Sequence, residues 1–200
     1  MSPDLHILYL HGFLSSPRSS KARQTLAYCK SRGFSDRIHV PFLKYGPAAT
    51  MAELTALIDT LPVGRLGLIG SSLGGFYATY LAEKFNLPAV LINPAVGPFD
   101  RLESYLGDHQ NYYTDHIHSV TPEYISELQV LDCTPLLRPR NFRVMVQAGD
   151  ETLDYRLAAE KFSKAELVIR QGGNHSYEGY AEELPTIEAF LLSRIAESVR

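Results

Sequence analysis

The run Gly70-Ser-Ser-Leu-Gly74 has the G-x-S-x-G spacing that is typical of a nucleophilic serine. A strand-like apolar segment, residues 65–69, precedes it, and a helix-like segment, residues 73–85, follows it. A serine on the tight turn between a buried strand and a helix presents its hydroxyl above the edge of the sheet. The run therefore predicts a nucleophile for acyl transfer; the alternative is a Gly-Ser loop that caps an ordinary helix.

Two adjacent serines occupy this turn, and the spacing distinguishes them. Glycine stands two residues before and two residues after Ser72, whereas Ser71 has Ile69 and Leu73 at those positions. Ile and Leu are too bulky there, because the strand and helix backbones must approach closely. We therefore expect Ser72 to be the nucleophile.

A serine hydroxyl needs a base to take its proton and an acid to orient that base. Asp150 directly follows one predicted strand, and His175 follows the next. Ser, Asp, His is the chain order of the triad in α/β-hydrolases, and all three residues would lie at the carboxyl edge of the sheet. We therefore expect His175 to be the base and Asp150 the acid.

Two other acidic residues compete with Asp150. Asp154 stands just before a predicted helix, where its side chain is suited to capping the first turn. Glu151 is one residue farther from the end of the strand and would point differently. Both stay open as alternatives to Asp150.

The oxyanion of a tetrahedral intermediate needs backbone N–H donors. The residue after the nucleophile, Leu73, is expected to supply one of them, and the loop after the first strand usually supplies the other. His11-Gly-Phe13 ends the first predicted strand, so Phe13 is expected to be the second donor. We expect His11 to pack beneath the site at the substrate pocket; the alternative is an ordinary strand-to-loop turn.

Short apolar runs alternate with longer amphipathic runs along the chain, which predicts a parallel sheet with helices on both faces. The candidate strands are Leu5–Leu10, Arg37–Pro41, Arg65–Ile69, Ala89–Asn93, Arg143–Ala148 and Glu166–Arg170. The candidate helices are Ser19–Arg32, Ala48–Thr60, Leu73–Phe85, Tyr155–Ser163 and Glu182–Ser198. We expect one domain, residues 1–200, of three-layer α/β architecture with a six-stranded sheet.

One segment, residues 97–141, is too long for a simple crossover between the fourth and fifth strands. Short helices are predicted near Phe99–Leu106 and Pro122–Leu128. An insertion at this point would lie over the carboxyl edge of the sheet, where open α/β sheets bind ligands. We expect a small helical cap whose Tyr105, Tyr112 and Tyr113 line the substrate pocket; the alternative is a surface excursion.

The composition narrows the class of protein. Of the 200 residues, 45% are hydrophobic and the net charge is −3, which favours neither nucleic acid nor an anionic membrane. The sequence has no apolar run long enough to span a membrane and no signal-peptide pattern, and two cysteines cannot form a disulfide framework. We expect a cytoplasmic protein; its oligomeric state stays open.

Two weaker features have a less specific interpretation. Asp115-His-Ile-His118 lacks a further partner in the sequence and is more typical of a polar surface than of a metal site. Arg18 and Lys21 would suit a phosphorylated acyl carrier, but a solvated helix start is the simpler interpretation. We expect no metal site at these residues.

Five segments together resemble the small bacterial YqiA/YcfP-type esterases: residues 11–21, 70–75, 87–96, 149–156 and 172–175. The resemblance implies an α/β-hydrolase sheet without the first two strands of larger hydrolases. It also implies a triad on Ser72, Asp150 and His175 and carboxylesterase or thioesterase activity without a cofactor. It is weakest across the expected cap.

The expected function is hydrolysis of small-molecule carboxylic esters or acyl thioesters through an acyl-enzyme on Ser72. A compact scaffold with an aromatic cap favours short to medium acyl chains. Two alternatives remain: an acyltransferase that uses the same triad, and a catalytically silent protein that binds a small molecule on the same scaffold.

Overall fold

The computed structural model describes residues 4–43 and 46–198, and a parallel sheet of six strands lies at its centre. Six strands form this main sheet: β1 (His6–Leu10), β2 (Ile38–His39), β3 (Leu66–Ser71), β4 (Ala89–Ile92), β7 (Phe142–Gln147) and β8 (Glu166–Arg170). Two further strands, β5 (Gly107–Gln110) and β6 (Ile117–Val120), form a separate hairpin. The order across the main sheet is β2-β1-β3-β4-β7-β8, and each neighbouring pair is parallel. The predicted six-stranded sheet is confirmed, with β2 shorter than expected.

Helices cover both faces of this sheet. They are α1 (Ser20–Ser31), α2 (Pro47–Asp59), α3 (Leu73–Phe85), α4 (Pro98–Leu102), α5 (Pro122–Val130), α6 (Tyr155–Lys161) and α7 (Tyr180–Ser198). Of the described helices, none is both long and apolar enough to cross a membrane.

The core has two parts because successive side chains of a strand point to opposite faces. In β1, Leu8 and Leu10 pack with residues of α2, α3, α5 and α6, whereas Ile7 and Tyr9 pack with residues of α1 and α7. The central strands β1, β3, β4 and β7 are buried on both faces, which explains why they are almost continuously apolar in the sequence, whereas the edge strand β8 is partly exposed. The arrangement is the predicted three-layer architecture.

The insertion between β4 and β7 contains the two predicted short helices, α4 and α5, and also a hairpin that the sequence analysis did not predict. Its antiparallel strands, β5 and β6, have the sequences Gly-Asp-His-Gln and Ile-His-Ser-Val. The β5 strand is polar and mostly exposed, so it shows none of the hydrophobic alternation that indicates a strand.

The hairpin is tied to the loop that follows β1. The Tyr112 N–H donates to the carbonyl oxygen of Leu14 at 3.0 Å, and the Asn111 side-chain amide donates to that of Ser15 at 2.7 Å. These bonds place the connection between β5 and β6 beside the residues that follow His11. The insertion therefore contacts the carboxyl edge of the sheet.

The turn between β3 and α3 depends on close backbone approach at its two glycines. A Cβ atom at Gly74 would overlap the carbonyl oxygen of Leu10, and one at Gly70 would lie 2.7 Å from the Cβ of Ala78.

We expect Gly74→Ala to lower the free energy of unfolding by about 3 kcal/mol or more, because a backbone atom cannot move aside easily. Urea denaturation measures this change.

Gly64→Ala is the matched control, because a Cβ atom at Gly64 would meet no atom within 4 Å. We expect it to change the free energy of unfolding by less than about 0.5 kcal/mol. Equal stability of the two variants would show that the close approach at Gly74 does not constrain the turn.

Candidate active site

Ser72 lies on the turn between β3 and α3 in a strained backbone conformation. Its φ is 56° and its ψ is −123°, a region that L-residues rarely adopt and that costs about 1–3 kcal/mol. Neighbouring main chain holds it there: its N–H donates to Ile92 at 3.1 Å, and its carbonyl accepts from Gly75 at 2.9 Å and from Ala95 at 3.0 Å. The side chain is thereby presented at the carboxyl edge of the sheet, where the sequence analysis expected a nucleophile.

The structure brings Ser72, His175 and Asp150 into one chain of hydrogen bonds. The Ser72 Oγ lies 3.1 Å from the His175 Nε2, so the hydroxyl is positioned to donate to the ring. On the other side of the ring, the Nδ1 lies 2.8 Å from the Asp150 Oδ2 and 3.0 Å from its Oδ1. This arrangement can transfer a proton from the serine to the imidazole.

Asp150 is held as a carboxylate by its neighbours. Burial pushes its pKa upward, but hydrogen bonds from His175 and from the Leu153 and Thr152 amides outweigh burial and lower the pKa below the usual value. Each of these two amides donates to the Oδ1 at 2.8 Å. A carboxylate fixed in this way stabilises a protonated imidazole beside it.

The two rival carboxylates have other partners. Asp154 caps α6, accepting the Arg156 N–H at 3.0 Å, and its side chain also pairs with the Arg156 guanidinium at 2.8 Å. Glu151 accepts the backbone N–H of His175 at 3.0 Å. Asp150 and Glu151, which are adjacent in the chain, thus hold His175 by its ring and by its main-chain N–H. The contact from Glu151 was not predicted.

Two buried amide side chains hold the loop that carries His175, and sequence reasoning missed both. Asn93 donates to the carbonyl oxygens of Asn174 at 3.0 Å and of His175 at 3.2 Å. Gln147 accepts the N–H of Asn174 at 3.0 Å and that of Glu178 at 2.9 Å. The only signal in the sequence was a polar residue at the carboxyl ends of two apolar strands.

The two expected oxyanion donors lie close to Ser72. Leu73 is the first residue of α3, and the glycine before Phe13 packs so tightly that a Cβ atom there would lie 3.1 Å from the Ser72 Cβ. Within residues 4–43 and 46–198, neither the Phe13 nor the Leu73 amide donates to another protein group. Both N–H groups therefore remain available to an oxyanion.

His11 lies beneath this loop. It is buried, its Nδ1 donates to the Gly12 carbonyl at 3.0 Å, and its Nε2 accepts the Leu43 N–H at 3.1 Å. Burial lowers its pKa to about 4, so the ring is neutral at pH 7. Since both nitrogens are bonded to main chain, His11 supports the loop.

Two cavities open beside Ser72 and His175, and both are also lined by Phe13 and Tyr112. The smaller, about 250 Å³, is here called the apolar cavity; its other lining residues are Leu73, Ala95, Val96, Pro98, Arg101, Leu102, Tyr105, Thr152 and Leu153. The larger, about 580 Å³, is called the polar cavity; its other lining residues are Tyr9, Gly12, Ser15, Ser19, Ser20, Lys21, Gln24, Ser71, Tyr113, Asn174, Ser176 and residues 177–182.

The predicted pocket residues fall into two groups. Tyr105 lines the apolar cavity, Tyr113 lines the polar cavity, and Tyr112 lines both. His11 lines neither of them; it borders a small void of about 10 Å³ beneath the loop. Among the described residues, no group of three or more His, Cys, Asp or Glu side chains is arranged to hold a metal ion.

The sequence profile of an uncharacterised protein family, UPF0227, matches residues 6–192. The chain belongs to this family. A UPF0227 protein of Shewanella woodyi (strain ATCC 51908 / MS32) is 27% identical over 196 residues, which cover 92% of this chain and 98% of that protein. The resemblance on which the sequence analysis relied is thereby confirmed at the level of the family.

Solved structures share the fold of the UPF0227 chain at low sequence identity. Mouse alpha/beta hydrolase domain-containing protein 10 matches with a TM-score of 0.69 and 16% identity, over 94% of this chain and 90% of that one. A structure from work on LipS and LipT, two metagenome-derived lipolytic enzymes, matches with a TM-score of 0.72 and 15% identity, over 96% and 95% of the two chains. These likenesses confirm the α/β-hydrolase fold.

The buried neutral His11 predicts a loss of stability in acid for this UPF0227 chain. Its pKa is about 4 in the folded state and close to the usual 6.5 when unfolded, so between these pH values the unfolded chain binds the extra proton. The neutral His11 ring therefore does not lower the free energy of unfolding above pH 6.5, and the folded state loses stability as the pH falls from 6.5 toward 4. Urea denaturation across this range measures the slope.

In His11→Gln we expect the free energy of unfolding to change less steeply with pH, by up to about 1.4 kcal/mol per pH unit. The reason is that this variant lacks the group that binds a proton in the unfolded chain and not in the folded one. The comparison with wild type is needed because burial also lowers the pKa of His118 to about 4, and this acts in the same direction. Identical slopes in the two proteins would exclude His11 as the titrating group.

Proposed function

We propose that this protein is a serine hydrolase that cleaves carboxylic esters or acyl thioesters through an acyl-enzyme on Ser72. The hydrogen-bonded chain from Ser72 through His175 to Asp150, at the junction of two cavities, carries this proposal. Lipolytic enzymes among the structures with the same fold add support.

In the proposed reaction, the His175 Nε2 takes the proton of Ser72 while the Oγ attacks the substrate carbonyl carbon. The carbonyl oxygen becomes an oxyanion and accepts hydrogen bonds from the Phe13 and Leu73 amides. The carbon–oxygen or carbon–sulfur bond then breaks, and the leaving alcohol or thiol receives the proton from His175. Asp150 stabilises the imidazolium that exists between these two transfers.

The acyl-enzyme is hydrolysed by the same steps in a second cycle. His175 takes a proton from water, whose oxygen attacks the ester carbon, and the released Ser72 oxygen recovers the proton as the acid leaves. Water is the sole co-reactant, and every other group in the proposed reaction belongs to this chain or to the substrate.

The two cavities suggest where the substrate lies. The apolar side chains of Leu73, Val96, Leu102 and Leu153 suit an acyl chain, and a volume of about 250 Å³ favours short to medium lengths. The alcohol or thiol then occupies the polar cavity. In this proposal the chain is one domain and residues 97–141 form its cap, because α4 and Tyr105 line part of the apolar cavity that holds the acyl chain.

The serine is tested with a p-nitrophenyl ester series from acetate to palmitate. We expect wild-type activity on the shorter esters, and a fall in kcat of about 10³-fold or more in Ser72→Ala, because the nucleophile is lost. Ser71→Ala is the control for the other serine of the turn: Ser71 borders the polar cavity, but the hydrogen bond to the His175 Nε2 comes from Ser72, so most of the activity should remain. Full activity in Ser72→Ala would refute the mechanism, and a wild type that cleaves no ester or thioester would favour a silent binding protein.

The acid is tested with two single substitutions. We expect Asp150→Asn to lower kcat by about 10³- to 10⁴-fold, because the amide disfavours the imidazolium and the required tautomer. Asp154→Asn should stay near wild-type activity, because Asp154 contacts Arg156 and not His175. A larger loss at Asp154 than at Asp150 would reverse the assignment.

A further inference from the structure

The polar cavity is larger than a short leaving group requires, and its far side has a chemical character of its own. Its walls there come from the start of α1 and from the segment between His175 and α7. Hydroxyl, amide and ammonium groups predominate in the α1 wall, through Ser19, Ser20, Lys21 and Gln24. This wall can bind polar atoms of a substrate.

Lys21 is the one Lys or Arg side chain among the lining residues described for this cavity. It is half-buried, and its Nζ donates to the carbonyl oxygen of Ser176 at 2.9 Å. An ammonium group has three N–H donors, so this bond leaves two of them for other acceptors. Lys21 therefore presents unsatisfied positive charge to the cavity.

The surroundings of Lys21 disfavour its charge. Burial lowers its pKa to about 8, although the negative charge of Asp150 partly opposes this effect. A partly desolvated cation in a cleft gains more from a bound anion than an exposed one does. The ammonium would recover, from a ligand, part of the solvation that it lacks in the free protein.

The first turn of α1 adds positive potential on the same wall. It contains no acidic residue, and the side chain of the N-cap residue, Ser19, accepts none of its N–H groups. The start of a helix carries a partial positive charge that favours anions nearby. The helix and the ammonium of Lys21 thus act in the same direction.

Two glutamates, Glu178 and Glu182, also line the polar cavity. Both are exposed, and Glu178 accepts a hydrogen bond from the Asn174 side chain at 2.7 Å. Among the described residues neither carboxylate forms an ion pair with the Lys21 Nζ, which instead donates to the Ser176 carbonyl oxygen. The ammonium of Lys21 is therefore not neutralised by a direct contact with these carboxylates.

We propose that the polar cavity binds a carboxylate or phosphate carried by the leaving group of the substrate, with Lys21 as its counter-ion. This inference rests on the proposed hydrolase function and names its substrate class: esters or thioesters of an anionic alcohol or thiol. The acyl chain occupies the apolar cavity, so the alcohol or thiol is the part that reaches Lys21.

Matched S-butanoyl thioesters test the inference. Mercaptopropionate and mercaptohexanoate are each compared with the corresponding neutral amide, and mercaptohexyl phosphate is compared with mercaptohexanol. We expect wild type to have the higher kcat/KM on the anionic member of at least one pair. The carboxylate and phosphate pairs distinguish the two kinds of anion, and the two chain lengths locate the charge relative to Ser72.

Substitutions then identify the counter-ion. In Lys21→Met we expect the ratio of kcat/KM for the anionic over the neutral thioester to fall about tenfold or more, the usual worth of a charged hydrogen bond. Lys21→Arg should retain most of the ratio, because it keeps the charge. Lys30→Met is the matched control: Lys30 lies exposed in the last turn of α1, and its loss should leave the ratio unchanged.

Two results would overturn the inference. If the ratio survives in Lys21→Met because anionic and neutral thioesters are slowed equally or not at all, Lys21 is not the counter-ion and only ties α1 to Ser176. If wild type shows no preference for any anionic thioester, the polar cavity holds no anion site. Thermal unfolding of each variant checks that it is folded.

Failure of the hydrolase proposal itself is separable from failure of this inference. If wild type cleaves no thioester, calorimetry of the anionic thioester with Ser72→Ala still measures binding in the polar cavity. Affinity that is lost in the Ser72→Ala, Lys21→Met double variant supports the anion site without hydrolysis. Absence of binding to Ser72→Ala would refute the anion site as well.

Discussion

The left-handed backbone of Ser72 is the constraint on which the rest of the site depends. It requires a strand and a helix to meet with almost no space between them, which is why Gly70 and Gly74 flank the serine. Main-chain hydrogen bonds from the β4 end hold the strained residue. The strain is stable because the buried sheet on one side and α3 on the other leave the turn no alternative path.

The partner of Ser72 is positioned by a second set of interactions that spans three strands. Asn93 and Gln147 bind the main chain of the His175 loop, while Asp150 and Glu151 hold its ring and its N–H. Asn93 and Gln147 are buried, and buried amides are costly when unpaired, so their bonds to the loop favour a single loop conformation. A fixed loop keeps the imidazole within reach of the serine in the resting protein.

The site is asymmetric about Ser72. On the side of the insertion, apolar residues form a small cavity, whereas on the side of α1 and α7 tyrosine rings share the walls with polar groups and with Lys21. The insertion reaches the loop of Phe13 through the main chain of Tyr112 and through ring contacts: the Phe13 ring meets Tyr105 and His118 edge-on, with centroids 6.2 and 5.2 Å apart. One segment thus shapes a cavity and supports an expected oxyanion donor.

The sequence by itself determined the alternation of strands and helices, because buried strands and amphipathic helices have different periods, and it singled out Ser72 by its glycine spacing. Chain order was enough to nominate Asp150 and His175, whose contact the tertiary structure then displays. Three features needed the tertiary structure: the β5–β6 hairpin, the Asn93 and Gln147 network and the burial of Lys21. The Asn93 and Gln147 network and the burial of Lys21 depend on partners far away in the chain, about which a local pattern of residue types carries no information. The hairpin is local, but its β5 strand is polar and exposed and so lacks the apolar alternation that indicates a strand.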